Sequence, residues 1–325
     1  MEKNEKIKID KRDRKILALL DFNARISNAE IARKLRISKE AVLYRIKNLE
    51  ARGIIKQYYA IINPSKLGYY YCRLALKLQN LTQKIEKDML EWLKQNKKVA
   101  YLGICEGYYD LAIGYWAKDV FEFENFVDTF VNKFSKYILE KEISIGTKVW
   151  QFPFSFLNGQ TRKKMITGGK VEEEKIDNRD RKILVELTKN CRQSYEEIGS
   201  KLRLSGKAVK YRIKELIRKG IIVGFRTWID YAKFGFMNTK VFLLLKDVDK
   251  EKMENFISYL SNLKNIIYIT KSVGRYDLEF EILTKSRTEF YEIMKKIREE
   301  NEEIKSYISL IFVKEIISRF IPLME

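Results

Sequence analysis

Two short segments, 167 residues apart, set side chains of one chemistry at helical spacing. In the first, Lys39, Glu40, Leu43, Tyr44 and Lys47 share the face opposite Val42, Ile46 and Leu49, with Arg45 at its margin. In the second, Gly206, Lys207, Lys210, Tyr211 and Lys214 take those positions, with Arg212 at the margin. Lysine and arginine are donors without acceptors, and grouped on one face they grip anions, phosphate oxygens above all. A different chemistry is offered by Gly107-Tyr108-Tyr109-Asp110 and Gly274-Arg275-Tyr276-Asp277. There glycine permits a tight backbone and a nearby carboxylate can accept an ammonium group; the same Gly and Asp also build a good hairpin turn. The chain has no histidine. Ser-His-Asp triads, Cys-His pairs and ordinary zinc hydrolase sites are therefore excluded, and catalysis would have to rest on carboxylates, Lys, Tyr or Cys. Cys72, Cys105 and Cys191 are far apart, without metal-type spacing, and read as small buried hydrophobes. No catalytic residue, metal or cofactor is expected.

The elements that position these groups must come from 325 residues, enough for two to four domains. Hydrophobic residues make up 46% and aromatic residues 13%, so most of the chain should fold. Lys plus Arg outnumber Asp plus Glu by 64 to 44, a formal charge of +20 that attracts polyanions. No apolar run reaches the roughly 18 residues of a membrane span. Met1–Lys8 is polar, with no apolar segment behind it to act as a secretory signal. Sparse, odd-numbered cysteines fit a reducing compartment. A cytoplasmic protein without a membrane partner is expected.

The chain is a duplication. Sliding it against itself by 167 residues matches Arg12–Leu17 with Arg179–Leu184, and Tyr44–Lys47 with Tyr211–Lys214. From Ile9 to Ile55, 28 of 47 positions are identical, far beyond chance. The register survives at Gly107–Leu111 and Gly274–Leu278. Asn158–Lys175 carries Gly159, Gly168 and Gly169 and mixed charges without apolar periodicity, a linker composition.

In each copy the first third reads as three short helices. Asp10 can cap a helix with Ile16, Leu17 and Leu20 on one face. Asn23 and Arg25 sit in a break, Ser27 and Glu30 form a capping box, and Ser38 caps the third helix two residues after Leu35. Gly53 is placed to end it in the left-handed conformation. Three helices with a tight turn before the third make a helix-turn-helix, whose last helix enters the major groove of double-stranded DNA. The apolar run that follows, Ile54-Ile55 and Tyr58–Ile62, suggests a β-ribbon wing. Charge agrees: residues 9–55 carry +6 and residues 176–222 carry +7, together +13 of the +20. The expected DNA contacts are Lys39, Leu43, Tyr44, Arg45, Lys47, Lys207, Lys210, Tyr211, Arg212 and Lys214.

The remaining two thirds read β-α-β-β-α-β. Cys72, Leu74, Leu76 and Leu78 alternate with Arg73, Lys77 and Gln79 in a half-buried strand. Ile85, Met89, Trp92 and Leu93 mark a helix, and Val99–Cys105 and Leu111–Trp116 two strands. Phe123, Phe126, Val127, Phe130, Val131 and Phe134 form a helical stripe whose spacing marks core, and Ile138–Trp150 is a last strand. This order predicts a ferredoxin-like sandwich, with helices on one face of the sheet and the other face needing a partner. The fold class is α+β. The expected layout is a winged helix-turn-helix over 1–62, a ferredoxin-like domain over 63–157, a linker over 158–175, and the same pair again over 176–229 and 230–325.

These residues resemble the Lrp/AsnC ("feast/famine") family of transcription regulators. The resemblance rests on Asp10–Asp13, Asn23–Arg25, Glu30–Ala32, Arg45-Ile46 with Leu49-Glu50, Gly53–Ile55, Asn63-Pro64, Leu67-Gly68 and Gly107–Asp110. It implies a DNA-reading head and a domain that oligomerises and binds small effectors, often amino acids. The effector pocket is implied near the glycine loops, making Gly107, Tyr109, Asp110, Gly274, Tyr276 and Asp277 the candidate effector residues. The second copy departs at Asp230-Tyr231, where Asn-Pro is expected, at Gly206, and at Cys191 in place of Ala. Two copies in one chain imply an intramolecular pseudo-dimer, with higher homo-oligomers open. The architecture also resembles the siroheme decarboxylases, an enzymatic alternative disfavoured because those are expected to use histidines.

Overall fold

The computed structural model describes residues 9–158 and 163–322; Met1–Lys8 and Gly159 of the joining segment lie outside the described residues. The first copy forms α1 (Lys11–Asp21), α2 (Asn28–Leu35), α3 (Lys39–Ala51) and β1 (Ile55–Ile62). It continues through β2 (Tyr70–Leu78), α4 (Gln83–Gln95), β3 (Val99–Gly107), β4 (Leu111–Ala117), α5 (Val120–Phe134) and β5 (Ile138–Gln151). A helical turn, α6 (Ser155–Asn158), leads into the segment read as a linker, and that segment holds a strand, β6 (Met165–Gly168). The second copy repeats the first as α7 (Asn178–Lys189), α8 (Tyr195–Leu202), α9 (Gly206–Arg218) and β7 (Ile222–Ile229). After them come β8 (Met237–Leu245), α10 (Lys250–Asn262), β9 (Ile266–Gly274), β10 (Leu278–Thr284), α11 (Arg287–Glu300) and β11 (Ile304–Ser318).

Like parts of the two copies join, giving two compact units that each draw on both. A helical unit takes residues up to Ile62, Phe152–Met165 and Lys175–Met237; a sheet unit takes Asn63–Gln151, Ile166–Glu174 and the chain from Asn238 onward.

In the helical unit each expected N-cap residue accepts a helix amide, but the Ser27–Glu30 capping box is only half made, since the Glu30 carboxylate pairs with Lys34; the full box forms at Ser194 and Glu197. Asp10, Ser27 and Ser38 accept from the amides of Asp13, Glu30 and Ala41 at 2.8, 3.1 and 3.0 Å. Asp177, Ser194 and Ser205 do the same in the second copy. Gly53 sits at φ +63° behind α3, where a side chain would be strained. Ile16, Leu17, Leu20, Ile31, Val42, Ile46 and Leu49 are buried and lock the first three helices together. The wing differs from the reading of each copy by itself. Each copy supplies one strand, and β1 pairs antiparallel with β7, Tyr58 opposite Thr227. A lone strand would leave its backbone donors and acceptors unpaired, and the other copy's strand satisfies them.

In the sheet unit, β5-β2-β4-β3 and β11-β8-β10-β9 are the two ferredoxin-like sheets. They join at both edges. In β3–β11 Glu106 faces Ile311, and in β5–β9 Ile145 faces Val273, so the eight strands close into a ring. β6 also pairs with β5, and the Gly169 amide after it bonds Thr147 O, beyond the last β2 pair at Gly146. Outside the first sheet, Leu74, Leu76 and Met89 pack with Phe123, Phe126, Val127, Phe130 and Phe134 as a helix-covered core. The helix-free faces turn inward, where Ala75, Cys105, Tyr109, Phe242, Tyr276 and Leu310 form a second cluster. β2, read as half-buried, is therefore covered on both faces: Arg73 on its polar side is buried as well.

Candidate nucleic-acid interface

The third helix of each copy carries its face into solvent. On α3 Tyr44 is 72% exposed and Leu43 42%, and Lys39, Glu40 and Lys47 are exposed beside them. On α9 Tyr211 is 65% exposed, with Lys207, Lys210 and Lys214 also exposed. Val42, Ile46 and Leu49, and Val209, Ile213 and Leu216, bury the opposite stripes. Large aromatic rings left in water beside lysines are available surface, and Lys39, Lys47, Lys207, Lys210 and Lys214 make no ion pair among the described residues. The turn before each helix runs through Arg36 at φ +52° and Arg203 at φ +55°, the same left-handed residue in both copies.

Arg45 and Arg212, expected among the DNA contacts, are held elsewhere. Arg45 Nη1 donates to Asp10 Oδ2 and Asp13 Oδ1, both at 2.7 Å. Arg212 Nη1 donates to Asp177 at 2.9 Å and to Asp180 at 2.8 Å. Each guanidinium ties its third helix to the N-terminus of the first, and these carboxylates hold both arginines above their ordinary range. The Asp13 amide, together with Arg45, keeps Asp10 below the usual carboxylate range, and the Asp180 amide with Arg212 does so for Asp177. The margin position explains the inward turn, because from there a long side chain reaches back across the core edge.

Two residues in the helical unit carry more than their sequence setting suggested. Arg25 Nη1 donates to the carbonyls of Cys191 and, at 3.3 Å, Gln193, and its guanidinium lies over Tyr195. Its counterpart Arg192 donates to Ala24 O at 2.7 Å and Ile26 O at 3.0 Å and lies over Tyr58. The Ala24 amide bonds Phe225 O, and the Cys191 amide bonds Tyr58 O, again reciprocally. This clasp, with the β1–β7 ribbon, fixes one helix-turn-helix against the other. The signal in the sequence was an arginine recurring in a short break, where surface charge has no evident reason to repeat. A second, unrepeated tie is the buried pair of Asp21 Oδ1 and Arg226 Nε at 3.1 Å. Asp21 Oδ2 also accepts from Phe154 N at 2.7 Å, and Arg226 lies between the rings of Phe22 and Phe154.

The glycine loops are hairpins of the sheet unit. Gly107 (φ +138°) and Gly274 (φ +156°) meet the other copy's backbone so closely that a Cβ would come within 2.6 Å of Ser309 O and 2.8 Å of Ile143 O. Asp110 accepts from Leu78 N at 2.7 Å and Lys77 Nζ at 3.0 Å, and Asp277 from Leu245 N at 2.9 Å. Both carboxylates cap the end of a neighbouring strand. Tyr109 and Tyr276 are buried inside the ring; Tyr108 and Arg275 are exposed, each reaching Glu140.

Comparison with known proteins matches this geometry. A family model described as winged helix-turn-helix DNA-binding matches residues 9–56 and 176–223. An HTH-type transcriptional regulator of Pyrococcus horikoshii, itself uncharacterized, is 31% identical over 154 residues, 47% of this chain and 94% of that protein. The HTH-type transcriptional regulator LrpA of the same organism is 38% identical over 130 residues, 39% of this chain and 87% of that protein. Among solved structures, the siroheme decarboxylase NirDL shares the fold at a TM-score of 0.66 and 14% identity, over 97% of this chain and 95% of that one. At that identity the likeness concerns architecture alone. The chain thus belongs to the Lrp/AsnC family of transcription regulators and carries the family's unit twice in tandem.

Proposed function

We propose that the chain reads double-stranded DNA with both third helices at once and acts as a regulator rather than an enzyme. The observation that carries this is the pair of solvent-facing Lys/Tyr faces on α3 and α9, joined by one clasp and one ribbon. Lys39, Leu43 and Tyr44, and Lys207, Lys210 and Tyr211, lie on the first two turns, where side chains reach base edges; Lys47 and Lys214 lie one turn on and grip phosphates. Arg45 and Arg212 position these helices and do not touch the DNA. Because neutralised phosphates release counterions, log affinity falls with log salt by about 0.9 per phosphate contact. Anisotropy titrations of the protein on duplex DNA check this; an affinity indifferent to salt contradicts it.

The amino-acid response is proposed to reside at the hairpin loops of the sheet unit. Its support is a knot of opposite charges around the second hairpin: Arg275 lies 3.3 Å from Glu140, and the Arg275 amide donates to Glu142 at 3.2 Å. An amino acid brings one group for each sign, a carboxylate for Arg275 and an ammonium for Glu140 or Glu142. Asp110 and Asp277 hold the backbone of the loops that carry this site. A saturating amino acid at ten times its dissociation constant adds about 1.4 kcal/mol of stability. A thermal-shift screen of the twenty amino acids should show that gain for one or a few, and Arg275→Ala should abolish it. No shift with any of them rejects the site.

A further inference from the structure

The inward face of the closed ring carries charges that the two copies do not share. Arg73 and Lys240 occupy one position of the repeat, so both copies place a cation there. Glu279 and Glu281 stand where the first copy has Ala112 and Gly114. Both acids come from the second copy. Glu279 is fully buried and pairs with Arg73 across the copies, with Lys240 at 3.0 Å, and with Ser272 Oγ at 3.2 Å. Glu281 accepts from Asn238 Nδ2 at 2.9 Å and lies 3.5 Å from Lys240 Nζ. Bulk is exchanged along with charge. A Cβ on Gly114 would come within 2.6 Å of Tyr71 Oη, and in the second copy the smaller Asn238 replaces that tyrosine beside Glu281.

Three pairings of such domains are conceivable, and their charges differ. A first copy against a second encloses two cations and two carboxylates. Among these four groups, two first copies would bring together two arginines and no acid; Glu142, opposite Ala75, faces the same way but is half-buried and accepts from the Arg275 amide of the hairpin. Two second copies would enclose two lysines and four acids. At these four positions either like pairing leaves a net charge of two uncompensated, which a low-dielectric interior penalises heavily.

We infer that Arg73, Lys240, Glu279 and Glu281 form a pairing code: the first copy's sheet accepts only a second copy, and like copies of different chains are refused. The code stands whether or not the DNA and effector readings hold, since it concerns only which sheets meet. Its consequence is that every assembled ring presents one α3 and one α9.

Cysteine reporters in the full chain test it. Ile145 faces Val273, so Ile145→Cys with Val273→Cys reports contact between a first and a second copy. Glu106 is the first-copy counterpart of Val273, so Glu106→Cys with Ile145→Cys closes only when first copies of two chains meet. After denaturation and refolding at high protein concentration, the first reporter should close and the second should give no disulfide between chains. Peptide mapping separates these bonds from any made by the native cysteines. In the background Arg73→Met, Lys240→Met, Glu279→Gln, Glu281→Gln, every pairing is neutral at these positions and the between-chain disulfide should rise by roughly tenfold or more, the ratio set by about 1.4 kcal/mol of lost discrimination. Arg73→Met alone leaves two first copies without charge at the four positions and the mixed pair with one excess acid, so it too should raise the between-chain product. Equal between-chain product with the native charges, or none in either variant although it folds, overturns the inference.

Discussion

Asp21→Asn should destabilise the helical unit by about 3–5 kcal/mol, because it strips the carboxylate charge that lies 3.1 Å from a guanidinium only 1% exposed. The substitution keeps the shape of the side chain, so the loss reports charge rather than a cavity. Arg226→Met added to Asp21→Asn should recover part of the loss, since a buried cation without that carboxylate costs more than an apolar side chain in its place. Denaturant unfolding of the three variants measures this. A loss below about 1 kcal/mol for Asp21→Asn would mean that Phe152 O and the rings of Phe22 and Phe154 hold Arg226 without the carboxylate.

Lys47→Ala with Lys214→Ala should weaken DNA binding by about tenfold per site at moderate salt, each lysine supplying one charge-assisted bond. The salt slope should flatten by about 1.8, two contacts at about 0.9 each. Both side chains are exposed, so the melting temperature should not change. Arg45→Ala makes the contrast. It frees Asp10 and Asp13, lowers the melting temperature, and leaves the salt slope of the folded protein where it was. A double lysine variant with unaltered slope would place the phosphates elsewhere on the helical unit.

The reading heads were legible because their determinants are local. Ser38 and Ser205 cap within three residues, Val42, Ile46 and Leu49 repeat at helical spacing, and Gly53 takes the left-handed conformation that ends α3. The ferredoxin-like order was legible for the same reason, from alternation in β2 and the phenylalanine stripe of α5. What could not be read was set by long-range pairing. The strand after each third helix looks like a wing of its own copy, yet β1 finds its partner 167 positions on. Arg73 looks like the solvent side of a half-buried strand, and the acid that takes it inside, Glu279, is 206 residues away. Arg45 and Arg212 share the periodicity of a DNA contact, and only the positions of Asp13 and Asp180 in space turn them inward.

The candidate effector loops show a similar limit. Gly-x-Tyr-Asp suits a hairpin and a ligand equally well by sequence. In the folded chain, the carboxylates of Asp110 and Asp277 are bonded to the amides of Leu78 and Leu245, and the charges gathered at the second hairpin are Arg275, Glu140 and Glu142. Those three are contributed by strands and loops of different copies, so no single stretch of sequence displays them together.

Selection of binding sites from random duplex DNA tests the central claim most directly. The two reading helices are fixed to each other within one chain and differ at Lys39 against Gly206, Glu40 against Lys207 and Leu43 against Lys210. Base-edge contacts made by unlike residues specify unlike bases. The selected sequences should therefore converge on two unequal half-sites at one fixed spacing, and swapping Leu43→Lys should change one half-site and leave the other. A pool that fails to converge, or one that converges on a perfect palindrome, would contradict a chain that reads DNA with α3 and α9 side by side.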